Sequence, residues 1–203
     1  MNAAQQDFGS LLRPGKAGTI AALLQATAVT DDAGASVDLG LATGSLIAEF
    51  RGAHDAGFKL MFFGIGCDAG SASHMAIDFS KNGNVRALSF DAATSVTCLG
   101  NDLGFERIFA RQIELHARAG DIAIIFGGPG VDPVVLDAAR TARLAGTKVV
   151  TISASKEENP LNALGDLNFR VPVAQADMAT VAQLALCHSW VDFLCGWRGG
   201  ASS

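Results

Sequence analysis

The sequence predicts an α/β fold, a parallel sheet with helices on both sides. From Lys59 onward, short apolar runs end in Gly or Asp, and the first four are separated by helical stretches at 71–82, 104–117 and 132–145. Runs that are apolar on both faces are typical of parallel strands covered by helices. The pattern gives five strand candidates: KLMFFG, VRALSF, DIAIIFG, TKVVTIS and LNFRVP.

Residues 1–56 are predicted to be helical. Ala17 to Ala28 is rich in Ala and Leu, and Val37 to Ala53 has apolar residues at roughly helical spacing. The segment TDDAGAS between them is predicted to be a loop that offers caps. The last segment, Asp177 to Gly196, is apolar almost all round, which predicts a buried helix.

The composition favours one apolar globular domain. Of 203 residues, 49% are hydrophobic and only 17% are charged, enough for one α/β domain with a large core. So few charged residues leave apolar faces that we expect to be buried between subunits. We divide the chain into an N-terminal helical segment (1–34), the α/β domain (35–196) and a flexible tail (197–203).

Charge and cysteine content restrict the partners and the cell compartment. Lys and Arg total 15 against 20 Asp and Glu, and the basic residues are scattered, so no direct nucleic-acid ligand is expected. The four cysteines occur singly, which favours a reducing, cytoplasmic setting. Neither a leader pattern nor an apolar stretch of about 18 residues is seen, so we expect a soluble, unprocessed protein without a membrane partner.

The turn after the first predicted strand has the spacing of a dinucleotide fingerprint. Gly64, Gly66 and Ala69 satisfy G-x-G-x-x-A, and Asp91 follows at the end of the second predicted strand. Asp68, however, would lie where a pyrophosphate needs backbone donors and a positive helix end. We therefore expect no nucleotide cofactor, and a tight strand-to-helix turn with Asp68 as N-cap is the alternative.

Two histidines are candidates for chemistry. His74 and Asp78 are i and i+4 on one predicted helix face, with Cβ atoms about 6 Å apart, so they could bind a metal or act as an acid/base pair. An ordinary solvated polar face is the alternative. His188 lies on an apolar helical stripe, where a lone histidine is more often a satisfied core residue than a ligand.

The bend IIFGGPGVDP, residues 124 to 133, carries a carboxylate where an anion could bind. Asp132 precedes Pro133, the favoured first helical residue, and is expected to cap that helix. Its side chain would then take the amide hydrogens that a phosphate needs, and its charge would repel that phosphate. Gly127, Gly128 and Gly130 still allow a neutral or weakly bound ligand to approach the backbone closely.

The stretch LGNDLGFERIFARQIELHARAGD, residues 99–121, resembles the segment after the second strand in bacterial phosphoheptose isomerases of the SIS (sugar isomerase) superfamily. The likeness continues through DIAIIFG, AARTARLAGTKVVTIS and FRVP to the final helix, and covers most of residues 35–196. The resemblance implies an αβα three-layer sandwich with a five-stranded parallel sheet. It also implies a homotetramer with active sites between subunits.

The resemblance also implies a site. Where family members have a histidine and a glutamate in the helix after the first strand, this chain has His74 and Asp78, and the histidine of the last helix matches His188. In the family these groups bind a divalent metal, often zinc, or work as acid and base in aldose–ketose interconversion through an enediol. Here they would be metal ligands, with Asp78 and His188 as proton-transfer groups. An asparagine–aspartate pair that contacts substrate matches Asn101 and Asp102.

The substrate positions depart from the family pattern. The family reads G-N-G-G-S at 64–68 and has a serine-rich phosphate loop at 127–132, where this chain has lost every hydroxyl. A glutamine that assists the metal aligns with Thr180. Each lost hydrogen bond to a charged group is worth roughly 1.5–3 kcal/mol, so the departures favour weakened phosphate binding. The substrate-binding candidates are Gly66, Cys67, Asp68, Asn101, Asp102, Gly127, Gly128, Asp132 and Thr180.

Two hypotheses remain open from the sequence. The first is a sugar-phosphate isomerase with a small-molecule sugar phosphate as ligand. The second is a non-catalytic SIS scaffold or regulatory protein that has a protein partner and a degenerate phosphate loop. An isomerase for an unphosphorylated or differently charged sugar is compatible with both sets of observations.

Overall fold

The computed structural model describes residues 15–129, 132–156, 158–173 and 175–196. The helices are α1 (Gly15–Gln25), α2 (Leu39–Asp55), α3 (Cys67–Lys81), α4 (Ala93–Leu103), α5 (Ile108–His116), α6 (Pro133–Leu144) and α7 (Ala176–Leu194). The strands are β1 (Ala28–Asp31), β2 (Ser36–Val37), β3 (Leu60–Phe63), β4 (Ala87–Ser89), β5 (Ile122–Gly127), β6 (Lys148–Ala154) and β7 (Leu167–Val171).

All five predicted strands form and run parallel, but the predicted count of five is wrong. The sheet has seven strands in the order β2-β1-β7-β6-β5-β3-β4. The additional strands are β1 and β2, and β1 pairs antiparallel with both β2 and β7. The predicted loop TDDAGAS, residues 30–36, contains the hairpin turn at 32–35 and also the ends of both strands, so the prediction of helix throughout residues 1–56 fails there. The Asp31 carboxylate accepts from the amides of Ala33 and Ala35, and Gly34 has φ +77°, so the turn is closed locally.

The sequence predictions for α4, for the domain boundary and for the tail are considered next to the structure. Helix α4 was not among the predicted helices. None of its side chains is fully buried, although Val96 and Leu99 pack against the apolar cluster of α5 and α6. A domain boundary at residue 35 stays a prediction, although β1 on its amino-terminal side pairs with β7. The predicted tail at 197–203 lies outside the described residues. No helix in the described part of the chain is long and apolar enough to cross a membrane.

Alternating residues of β3 contribute to two apolar clusters. Leu60 and Phe62 pack in one cluster with residues of α2, α3 and α7, while Met61 and Phe63 pack in another with residues of α5 and α6. In the first cluster the fully buried Phe79 of α3 contacts Phe62, with ring centroids 5.2 Å apart. A buried side chain of this size stabilises the fold by roughly 1.5–3 kcal/mol. This packing positions α3 and α7 beside the carboxyl ends of the strands.

Candidate active site

Glycines build the turn from β3 into α3. Gly66 is the N-cap and has φ +61°, in the left-handed region that favours glycine. A Cβ on Gly64 would lie 2.4 Å from the Asp68 carbonyl oxygen, so the close approach of the backbone also requires glycine there. The alternative in which Asp68 caps α3 is therefore wrong. Asp68 lies in the first helical turn with 6% of its surface exposed, and its Oδ1 accepts a 3.4 Å hydrogen bond from Thr180 Oγ1.

His74 and Asp78 of α3 meet His188 of α7. The Nε2 atoms of the two histidines are 3.2 Å apart, and Asp78 Oδ2 lies 3.6 Å from His74 Nε2 and 3.2 Å from His188 Nδ1. His188 is 42% exposed, so it is not a core histidine. Asn82 Nδ2 donates to the other Asp78 oxygen at 3.1 Å, which leaves Oδ2 facing both imidazoles.

The three side chains have the donor set and spacing of a metal site. One nitrogen or oxygen from each lies within 4.8 Å of the others. Around a tetrahedral zinc ion with bonds of about 2.0–2.2 Å, ligand atoms are separated by roughly 3.4 Å, close to the 3.2 and 3.6 Å distances from His74 Nε2. Three protein ligands with a fourth position open is the pattern of catalytic zinc sites. Asp78 can serve as a ligand or, through His188 Nδ1, can orient that ring.

Asp132 caps the amino end of α6, the helix that follows the bend after β5, as predicted. Asp132 has extended backbone angles and its Oδ1 accepts from the Val134 amide at 2.9 Å, while Pro133 is the first helical residue. One amide at the amino end of α6 is thus already bonded within the chain. A negatively charged ligand at this helix end would compete with Asp132 for that amide.

A cavity of about 340 Å³ joins the bend to the start of α3. It contains several of the predicted substrate positions, and two of its lining residues are carboxylates. Burial raises the pKa of Asp68, and the Thr180 hydrogen bond opposes this effect. Because Asp68 and Asp132 face the same space, the cavity disfavours a phosphate dianion. Its lining residues are Ile65, Gly66, Asp68, Gly127, Gly128, Asp132 and Val135.

The predicted pair Asn101 and Asp102 lies elsewhere, near the carboxyl end of α4. Asn101 Nδ2 donates to Asp102 Oδ1 at 2.8 Å, and Cys98 Sγ lies 3.7 Å from Asp102 Oδ2. Among the described residues this pair neither lines the cavity nor bonds to the His74–Asp78–His188 cluster. Cys67 is exposed at the start of α3 and does not line the cavity either.

Sequence reasoning missed Gln183 of α7. This fully buried amide donates from Nε2 to the carbonyls of Gly127 and Ile152, each at 2.9 Å. It therefore ties the last helix to the glycine bend. An amide between Ala182 and Leu184 in a mostly apolar helix was the available signal, because a buried polar group needs hydrogen-bond partners.

Comparison with known proteins identifies the family. No family model matches the chain. It is 31% identical over 161 residues to a phosphoheptose isomerase of Rhodospirillum rubrum, covering 76% of this chain and 81% of that protein. A phosphoheptose isomerase structure from Francisella tularensis superposes with a TM-score of 0.77 at 18% identity, covering 96% of this chain and 98% of that one. A phosphoheptose isomerase structure from Neisseria gonorrhoeae superposes with a TM-score of 0.69 at 22% identity, covering 75% of this chain and 84% of that one. The chain therefore belongs to the phosphoheptose isomerase family of SIS proteins, as a diverged member.

Proposed function

We propose that this protein binds a sugar phosphate and catalyses aldose–ketose isomerisation of the phosphoheptose isomerase type. The observation that carries the proposal is the convergence of His74, Asp78 and His188 on one point in a member of this family. We further propose that these three residues hold a divalent metal, zinc being the first candidate, because two imidazoles and a carboxylate suit it.

The protein groups in this cluster suit proton transfer next to a carbonyl. Asp78 Oδ2 is the oxygen left facing the histidines. With Nδ1 of His188, 3.2 Å from this oxygen, as the nitrogen that binds the metal, Nε2 of the same ring is left as a base. One group would remove the proton next to the carbonyl and another would protonate the neighbouring carbon of the enediol. A bound divalent ion would supply Lewis-acid polarisation of the substrate carbonyl.

The rest of the proposed site extends from this cluster. The 340 Å³ cavity, with Gly66, Asp68, Gly127, Gly128 and Asp132, would hold the substrate, and Thr180 would act through Asp68. Cys67 would border it. Asn101 and Asp102 would reach the site of a neighbouring subunit. We accordingly propose a homotetramer of three-layer αβα subunits with a cytoplasmic location.

Sedoheptulose 7-phosphate is the substrate to test. Purified metal-loaded protein should form the aldose product, observed by NMR, and His188→Ala should reduce the rate by roughly 10²–10⁴-fold. His116→Ala removes an imidazole outside the cluster and should leave the rate unchanged. If no aldose forms even at high enzyme concentration, the proposal is refuted.

One observation favours a second function, a non-catalytic SIS scaffold or regulatory protein. Asp68 and Asp132 occupy the cavity in which the family resemblance leads us to expect phosphate. On this hypothesis the protein acts through a protein partner. Turnover of sedoheptulose 7-phosphate separates the two, because a scaffold with a degenerate loop should show none.

A further inference from the structure

A second cavity lies at the opposite end of the sheet. Lys59, Arg86 and Asp121 immediately precede β3, β4 and β5. Because these strands are parallel, all three residues lie at the amino ends of the strands, on the same side of the sheet. The cavity there measures about 850 Å³, within the range of small-molecule pockets. Strand β5 has six residues, which at about 3.3 Å per residue separates this cavity from the Asp68–Asp132 cavity by roughly 20 Å.

Lys59 and Asp121 neutralise each other at the base of this cavity. Asp121 is 1% exposed, and its Oδ2 accepts from Lys59 Nζ at 2.5 Å and from the Arg118 amide at 2.8 Å. Its Oδ1 accepts from the Lys59 amide at 3.0 Å. Asp121, the one carboxylate among the described residues that line the cavity, already has hydrogen-bond partners and does not compete for the remaining cations.

Two guanidinium groups remain without a carboxylate. Arg86 and Arg118 both line the cavity, and neither takes part in a salt bridge within the described part of the chain. Arg86 Nη1 donates to the Gly57 carbonyl at 3.1 Å, which leaves other guanidinium hydrogens free. In a chain with a net charge of −5, this cavity is locally positive.

Histidine adds a neutral donor. His54 Nδ1 accepts from the Arg86 amide at 3.1 Å, so the proton of the neutral ring is on Nε2, and His54 and His116 both line the cavity. Guanidinium groups match phosphate oxygens in a two-pronged geometry. We propose that this cavity is a second binding site, for a small phosphorylated anion, formed by Arg86, Arg118 and His54.

Pyrophosphate is the probe, and metal-free protein is used because pyrophosphate chelates divalent ions. Calorimetry should show binding to the wild type and an affinity at least about tenfold lower in Arg86→Gln and in Arg118→Gln, since each removes a charge-assisted hydrogen bond. Arg140→Gln is the matched control, because Arg140 is exposed on α6 and does not line the cavity. Absence of wild-type binding, or an equal loss in the control, would overturn the proposal.

The histidines locate the bound anion without any variant. In NMR titrations of the wild type, the ring signals of His54 and His116 should shift with pyrophosphate, while those of His74 and His188 stay in place. Shifts confined to His74 and His188 would place the anion at the proposed sugar site and refute a second site. Failure of sedoheptulose 7-phosphate turnover leaves this result unaffected.

Discussion

Replacing Asp132 tests whether its carboxylate weakens phosphate binding at the bend after β5. Asp132 Oδ1 accepts from the Val134 amide at 2.9 Å. A serine hydroxyl caps helices about as well as a carboxylate, so Asp132→Ser should leave α6 capped while removing the negative charge. Asp68→Ser removes the second carboxylate from the same cavity.

Two effects set the expected gain in phosphate affinity. A phosphate that displaces the Asp132 carboxylate forfeits a hydrogen bond to a charged group, worth roughly 1.5–3 kcal/mol, whereas one that displaces a serine hydroxyl forfeits roughly 0.5–1.5 kcal/mol, so the variant gains the difference of about 1–1.5 kcal/mol. Two unit charges about 6 Å apart also repel by roughly 3 kcal/mol at an effective dielectric constant of about 20. Since about 1.4 kcal/mol is tenfold in affinity, even one of these effects predicts a gain of roughly ten- to hundredfold for Asp132→Ser. Adding Asp68→Ser should raise the affinity further.

Calorimetry with inorganic phosphate measures this gain. The variants should be made with Arg86→Gln and Arg118→Gln present, so that the cavity at the other end of the sheet contributes nothing. Asp32→Ser is the matched control, because it removes the same charge from an exposed hairpin turn. If protein with both native aspartates already binds sugar phosphates at micromolar concentrations, or if Asp132→Ser gains no more than Asp32→Ser, the reasoning is refuted.

Three further predictions concern metal binding, pH and packing. Co²⁺ titrated into the protein should give visible absorption bands, with affinity at least about tenfold lower in His74→Ala but not in His116→Ala; equal losses would argue against the cluster. Burial raises the pKa of Asp68, so the folded state holds this proton more tightly than the unfolded state, and stability falls as pH rises from the unfolded through the folded pKa. In urea unfolding, Asp68→Asn should therefore have the same free energy of unfolding as the wild type below the unfolded-state pKa of Asp68 and a higher one above its folded-state pKa. An equal free energy of unfolding at neutral pH would contradict this. Phe79→Ala should lower the unfolding free energy by about 3–5 kcal/mol, whereas Leu144→Ala, at an 89% exposed position, should change it by less than about 0.5 kcal/mol, and similar losses would contradict the assigned core.

The central sheet was predictable because four of its parallel strands, β3, β5, β6 and β7, are buried on both faces. Such strands need apolar residues at nearly every position, as β5 shows with all six residues buried. The hairpin of β1 and β2 was not predictable in this way. Its strands are short and mostly half-exposed, and they are held by pairing with β7, far along the chain.

In the candidate site, too, some features were predictable from the sequence and others were not. His74 and Asp78 could be paired from the sequence because helical geometry sets their separation. Asp68 was predicted to be a cap, but α3 begins at Cys67, so Gly66 is the N-cap and Asp68 lies in the buried first turn. The Asp132 cap was predictable, since Pro133 at the first helical position marks where α6 begins.

The sequence by itself determined the buried strands, the alternation with helices and the i, i+4 pair, because each depends on local geometry and on how many faces of a segment are buried. Local geometry could not bring His188 to His74 across 114 residues, which only the family resemblance implied, and only the tertiary structure decided that Asp68 shares a cavity with Asp132. Contacts over such separations depend on how α3, α7 and the sheet pack. That packing is set by many apolar side chains at once rather than by the residues that meet.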